Sequence, residues 1–115
     1  MQASQRDLIL AIYPFSDFAG QKFRPAIVIS CNRHNKNSLD VVAVPLTTNL
    51  EEKKFSFLLA QQDLENGRLI KDSRVRVDKI FALERSNIRL VIGKVKTGVH
   101  DKIITLLGEL LQEGY

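Results

Sequence analysis

The run Arg24-Pro25-Ala26-Ile27-Val28-Ile29-Ser30 restricts the possible folds of this chain more than any other stretch. Proline lacks a backbone N–H and has a fixed φ, so it suits the opening of a strand. Ile27, Val28 and Ile29 are β-branched and favour a pleated surface. Side chains alternate along a strand, which puts Ala26 and Val28 on one face and Ile27 and Ile29 on the other. Both faces are apolar, so the run predicts a strand buried on both sides. Arg24 then stands at the mouth of that strand, where a guanidinium can be held at a surface. The plainer reading of Arg24 is a surface arginine in a loop.

The remaining pattern is mostly period two. Residues 7–13 read as a first strand, and residues 14–23 as a loop with Asp17 and Gly20 as turn residues. Residues 24–31 are the second strand, followed by a polar turn over 32–38. Residues 40–46 form a third strand, in which Pro45 predicts an edge position or a bulge. Residues 54–59 are a fourth, with Phe55, Phe57 and Leu59 on one face. Residues 61–72 read as irregular, with Asn66-Gly67 as a turn. Residues 74–83 are a fifth strand: Val75, Val77, Phe81 and Leu83 share one face, interrupted by Lys79, while Arg74, Arg76 and Asp78 share the other. A short strand over 87–96 contains Gly93. Thr97 is then an N-cap for a final helix over about residues 98–112, with Val99, Ile103, Leu107 and Leu110 or Leu111 at helical spacing. The fold class is mainly β with a C-terminal α-helix, and short strands with one late helix suggest a small barrel.

At 115 residues the chain has the length of a single domain, residues 1–115. Seventeen Lys and Arg against 13 Asp and Glu give a net charge of +4, which permits a polyanionic partner and equally suits a solvated surface. Cys31 is the only cysteine, so no disulfide forms within the chain. At the end of a buried strand it reads as a small hydrophobe. His34 and His100 lie far apart and nothing has zinc-ligand spacing, so no metal or other cofactor is expected. The apolar runs are too short to cross a bilayer, and residues 1–6 lack a signal peptide's apolar core. The expectation is a cytoplasmic protein with no membrane partner.

Four stretches carry a family resemblance: Tyr13-Pro14-Phe15-Ser16-Asp17, the Arg24–Ser30 run, Pro45-Leu46-Thr47-Thr48-Asn49, and Ser73-Arg74-Val75-Arg76-Val77-Asp78-Lys79-Ile80. In this order and spacing, and ending in one helix, they make the chain resemble the MazF/PemK family of toxin endoribonucleases from type II toxin–antitoxin pairs. The resemblance implies an SH3-like barrel of the MazF, Kid and CcdB kind and a homodimer. It also implies a single-stranded RNA substrate cleaved without metal, and a cognate antitoxin protein. Two departures stand out. The family's Gly-Asp at the start of the first strand is here Arg6-Asp7, and no histidine lies between Pro14 and Phe23. Two other readings keep the fold: a toxin that binds DNA topoisomerase without cleaving anything, and an inactive barrel that still binds RNA or an antitoxin.

RNA cleavage by the ribose 2′-OH needs a group to take the 2′ proton, cations or donors around the phosphorane, and a donor to the leaving 5′ oxygen. The resemblance carries Arg24 and Thr47 onto family active-site positions. A guanidinium offers a planar fork of donors to phosphate oxygens, and threonine adds one hydroxyl. Arg76 and Asp78, two apart on one strand, point the same way. They read either as a second catalytic pair or as a surface ion pair worth roughly 0–1 kcal/mol. Which residue removes the proton stays open. Asp17, Lys22, Thr48, Asn49, Arg74 and Lys79 are candidate substrate-binding residues, with simple solvation as their alternative. Tyr13, Phe15 and Phe18 are candidates for base stacking; Phe55 and Phe57 read as core, and His34 as a solvated loop residue.

Overall fold

The computed structural model describes residues 2–13 and 22–114. The expectations placed on Asp17, Phe15, Phe18 and Gly20 therefore lie outside the described residues. The elements in order are β1 (Asp7–Ile12), β2 (Phe23–Val28), α1 (Asn32–Asn37), β3 (Asp40–Thr47), β4 (Ser56–Leu59), β5 (Leu64–Gly67), β6 (Ser73–Arg76), β7 (Phe81–Glu84), β8 (Ile88–Val95) and α2 (Thr97–Leu110). One antiparallel sheet runs in the order β4-β6-β3-β2-β1-β8-β5, with β7 paired to β3 off that path. It is the curled, half-barrel sheet with a C-terminal helix that the pattern predicts.

The two-faced strand is realised. Ile27 belongs to a core with Leu8, Val44, Leu59, Val75 and Val95, to which α2 adds Val99 and Ile103. Ala26 and Val28 belong to a second core with Ile9, Ala11, Val41, Ala43 and Leu83. β2 begins at Phe23, so Pro25 is its third residue rather than its opening one. Burying a side chain the size of Ile27 contributes about 1.5–3 kcal/mol, and β2 does so on both faces.

β3 changes partner along one edge. Asp40–Ala43 pair with β7, and Leu46–Thr47 pair with β6. Pro45 falls between the two ladders while its other side faces Ala26 of β2. The proline thus marks neither an open edge nor a bulge. It sits where pairing on that edge is already interrupted, between the part of β3 that pairs with β7 and the part that pairs with β6.

Several expectations are corrected. The fifth strand is two strands, because residues Val77–Lys79 form a 3-10 turn between β6 and β7. The turn rotates the chain, so Val75 and Val77 enter one core while Phe81 and Leu83 join the other. Lys79, the charge that broke the apolar pattern, is the exposed last residue of the turn. Residues 61–72 contain strand β5, and Asn66-Gly67 belongs to it instead of to a turn. Gly67, at φ +84°, is paired with Gly93 of β8, and a Cβ there would lie 2.2 Å from the Ile92 carbonyl oxygen. Residues 32–37 form the short helix α1, with Asn35 buried and its amide donating to the Ser30 carbonyl at 3.0 Å. Cys31 is exposed ahead of α1, not buried at a strand end. Phe57 is core, but Phe55 lies in a turn at φ +57° and outside both cores. Thr97 is the first helical residue, with Lys96 at the cap position, and Leu111 lies past the helix, largely exposed.

Arg6 occupies the position of the missing glycine and adopts a left-handed conformation, φ +76°. Its backbone N–H donates to Val28 O and its carbonyl accepts from Val95 N. Its guanidinium donates to Val95 O at 2.8 Å and to Glu65 at 3.0 Å. The turn a glycine would make is kept by the backbone bonds, and the guanidinium contacts offset the strain of a left-handed arginine. Among the described residues no helix is long and apolar enough to cross a membrane.

Candidate active site

Strand register assembles the site. Ala11 of β1 is paired with Arg24 of β2, and Thr47 of β3 with Arg74 of β6. The β2–β3 ladder ends at Ala26 and Pro45, and its register carried two residues further sets Arg24 opposite Thr47. Directly opposed residues share a face, so Thr47 and Arg74 stand side by side, and Arg24 lies just past the last pair of the β2–β3 ladder. Lys22, Arg24, Thr47 and Thr48 line a single open cleft of about 220 Å³, with Pro25 and Ser73 in its wall. Four of the sequence-predicted residues are thereby brought together.

Each has a distinct setting. Lys22 and Arg24 are exposed, and Thr47 is half-buried. The Asn49 N–H donates to Thr47 Oγ1 at 3.2 Å, and the Glu51 N–H to Asn49 Oδ1 at 3.1 Å. These two local turns fix the Thr47-Thr48-Asn49 segment. Because Thr47 Oγ1 accepts there, its hydroxyl proton is left to be donated elsewhere. Asn49 is spent on shaping the segment, with its amide N–H groups still available.

Arg74 is buried, at 7% exposure. It donates from Nη1 to Ser56 Oγ at 3.0 Å and from Nε to the Leu50 carbonyl at 3.4 Å, both neutral partners. The ion pairs of the described residues do not include it. It ties the 48–56 segment to β6 and places a positive charge next to Thr47 that no ion pair among the described residues offsets.

Arg76 lies two residues along β6 from Arg74, about 7 Å further on the same face. It binds Asp78 through two parallel bonds, Nε to Oδ1 at 2.9 Å and Nη2 to Oδ2 at 2.8 Å. The pair forms although the strand ends between its members. The Arg76 hydrogen bonds hold the Asp78 carboxyl below its usual range, and Asp78 in turn raises Arg76. Asp78 is therefore a weaker proton acceptor than a free aspartate. Lys79 is exposed beside it.

Tyr13 is buried and does not present its ring for stacking. Its hydroxyl donates to the Pro25 carbonyl, and its ring packs tilted on Phe81 with centroids 5.0 Å apart. Burial pushes its pKa up, against the opposing pull of a backbone hydrogen bond and of Arg24. Its role is to brace the peptide that carries Arg24. Neither that strut nor the Ser56 partner of Arg74 has a sequence signal, since both depend on contacts between strands distant in the chain.

The cleft thus offers cationic donors and hydroxyls against a firm backbone, a set suited to an anionic group with tetrahedral oxygens. No carboxylate or imidazole lines it among the described residues. Nor, among the described residues, do three His, Cys, Asp or Glu cluster in a way that would hold a metal.

A family model described as PemK-like, MazF-like toxin of type II toxin–antitoxin systems matches residues 5–111. No curated protein matches the chain. Among solved structures, it resembles the MazE–MazF complex (Form-III) from Deinococcus radiodurans at a TM-score of 0.79 and 21% identity, covering 96% of this chain and 97% of the other. An endoribonuclease in complex with its cognate antitoxin from a mycobacterial species aligns at 0.77 and 21% identity, with 98% of each chain covered. A second mycobacterial endoribonuclease aligns at 0.75 and 23% identity, covering 100% of this chain and 97% of the other.

Proposed function

The chain belongs to the PemK-like, MazF-like toxin family of type II toxin–antitoxin systems, and from that premise we propose that it is a sequence-selective endoribonuclease. It cleaves single-stranded RNA by attack of the ribose 2′-OH on the adjacent phosphate. The observation that carries this reading is the convergence of Arg24 and Thr47 on one open, cationic cleft.

In the proposed reaction the scissile phosphate sits in the cleft. Arg24 places two parallel N–H donors on its non-bridging oxygens, where charge grows as the phosphorane forms. Thr47 donates its hydroxyl to the same group or to the leaving 5′ oxygen. Lys22 holds the flanking backbone, and the buried charge of Arg74 adds to the positive potential beside Thr47. Asp78 orients Arg76 more readily than it takes the 2′ proton, because its bidentate bond lowers its basicity. The 2′ proton therefore passes to solvent water, and the leaving 5′ oxygen takes its proton from solvent. The nucleophile belongs to the substrate and the cations belong to the protein, so the step proceeds without metal. By cleaving messages the protein inhibits translation and growth.

Its antitoxin is an acidic segment that folds onto the Arg24 and Arg76 region and occupies the phosphate sites. The toxin itself is a homodimer. Arg6 keeps the turn of the absent glycine, which removes one reason to regard the barrel as degenerate. The reading is tested by incubating purified protein with a long transcript in EDTA and mapping the ends. Discrete sites with 2′,3′-cyclic phosphate and 5′-OH ends support it; 3′-OH and 5′-phosphate ends, or no cleavage, sink it.

A further inference from the structure

The β2–β3 ladder ends at Ala26 and Pro45. The Ile29 N–H donates to Val42 O at 2.9 Å, and peptide direction alternates along a strand. Ile27 therefore faces Val44 with its backbone polar groups. Pro25 and Leu46 come next in that register, as the rung just past the last strand pair. Proline has no N–H, so this rung can hold at most one of its two backbone bonds. Pro25 is bonded in the chain to Arg24, and Leu46 to Thr47. All four residues line the cleft, so a half-made rung lies at the root of both proposed phosphate donors.

A side chain from a third strand completes the rung. The Tyr13 hydroxyl donates to the Pro25 carbonyl and accepts from the Leu46 N–H, so one oxygen touches both strand ends. Tyr13 directly follows β1, and its ring is buried at 5% exposure and packed on Phe81 of β7. A ring gripped in this way leaves its hydroxyl little freedom. Tyr13 is not among the residues that line the cleft, so it acts from behind the wall. A strand end held by one backbone bond frays. The hydroxyl supplies the bonds that proline cannot.

We infer that Tyr13 is a positioning residue: its hydroxyl clasps the ends of β2 and β3 and so sets the spacing of Arg24 from Thr47. The inference rests on the reading of that cleft as the site of RNA cleavage. It gives Tyr13 no contact with RNA and no part in proton transfer. Arg24 can bind a phosphate through its own flexible stem, whatever the exact spacing of the strands. Stabilising the phosphorane needs the guanidinium and the Thr47 hydroxyl in place together. Losing the clasp should therefore slow the chemical step and spare binding.

The test compares wild-type protein, Tyr13→Phe, Arg24→Ala and the double variant, each shown to be folded by circular dichroism. Two quantities are read: the single-turnover cleavage rate at saturating RNA, and the affinity for an uncleavable 2′-deoxy oligomer by fluorescence anisotropy. Tyr13→Phe, which removes only the hydroxyl, should lose roughly 10- to 100-fold in rate, the scale of a small misplacement of a reacting group. Its affinity should match the wild type. In the Arg24→Ala background the same substitution should cost little, because no guanidinium remains to be placed. A wild-type rate in Tyr13→Phe would overturn the inference and leave the cleft standing. So would a loss of affinity as large as the loss of rate, or a full effect in the Arg24→Ala background. If Arg24→Ala itself cleaves at the wild-type rate, the reading of the cleft falls and takes this inference with it. One readout needs no substitution. In the wild-type protein the Leu46 N–H should exchange with solvent as slowly as that of Val44, and rapid exchange would mean that there is no clasp.

Discussion

At the scale of single residues, the candidate site was legible where spacing alone decides geometry. Arg76 and Asp78 do form a bidentate pair, although Asp78 lies in the 3-10 turn and not on the strand that the two-residue spacing assumed. Arg24 does sit exposed at the end of a buried strand. Burial of individual polar groups was not legible. Arg74 looks like Arg76 in the sequence, yet it is sequestered by Ser56 and Leu50, and Tyr13 is a strut instead of a stacking platform. The pair makes two predictions. Asp78→Asn should lower cleavage modestly, with Arg76→Ala matching it in single-turnover rate; a loss as large as that of an essential phosphate donor would make Asp78 the base. Asp78 titrates below its ordinary 3.8 in the folded protein. The stability it contributes is therefore present above that pH and lost as pH falls through the folded value. Urea unfolding followed down through pH 4 should show a shallower decline for Asp78→Asn than for the wild type. His100 carries a related effect, since its Nδ1 is buried without a partner among the described residues, and burial lowers its pKa from 6.5. Neutral in the fold, it binds a proton more readily once unfolded, so its share of stability is present above pH 6.5 and declines as pH falls toward the folded value.

At the scale of elements, period-two patterning located most strands because it reports which side of a chain is dry. It failed where backbone conformation changes without a change of composition. The 3-10 turn at Val77–Lys79 hides inside an alternation that looks continuous, betrayed only by Lys79. Asn66-Gly67 carries a turn signal, but the glycine is needed for the close approach of β5 to β8. Gly67→Ala combines a left-handed φ with a clash against backbone that cannot yield, and should destabilise by about 2–5 kcal/mol in urea unfolding. At Arg6 the same φ argument runs the other way. Arg6→Gly relieves the left-handed strain but loses the bonds to Val95 and Glu65, so the net change should stay within about 1 kcal/mol. A large loss there would mean that the arginine, not the backbone, holds the turn.

At the scale of the whole molecule, the two-faced apolar run near residue 27 predicted a strand dry on both sides, and the chain builds a core on each face of its sheet. The sequence could not place the hand-off of β3 from β7 to β6, which depends on curvature of the sheet as a whole. Ile27→Ala should cost about 2–5 kcal/mol, the range for truncating a fully buried aliphatic side chain. A homodimer is expected in solution, and sedimentation at micromolar concentration that gives only the 13.0 kDa species would remove it. The central claim, a cleft that cleaves RNA through Arg24, is tested most directly by the single-turnover rate of folded Arg24→Ala protein on a mapped RNA site in EDTA. The account predicts a loss of about 10²–10³-fold relative to wild type, larger than for Thr47→Ala or Lys22→Ala, and no product when the scissile nucleotide is 2′-deoxy. An undiminished rate in Arg24→Ala, or cleavage of the 2′-deoxy substrate, would contradict it.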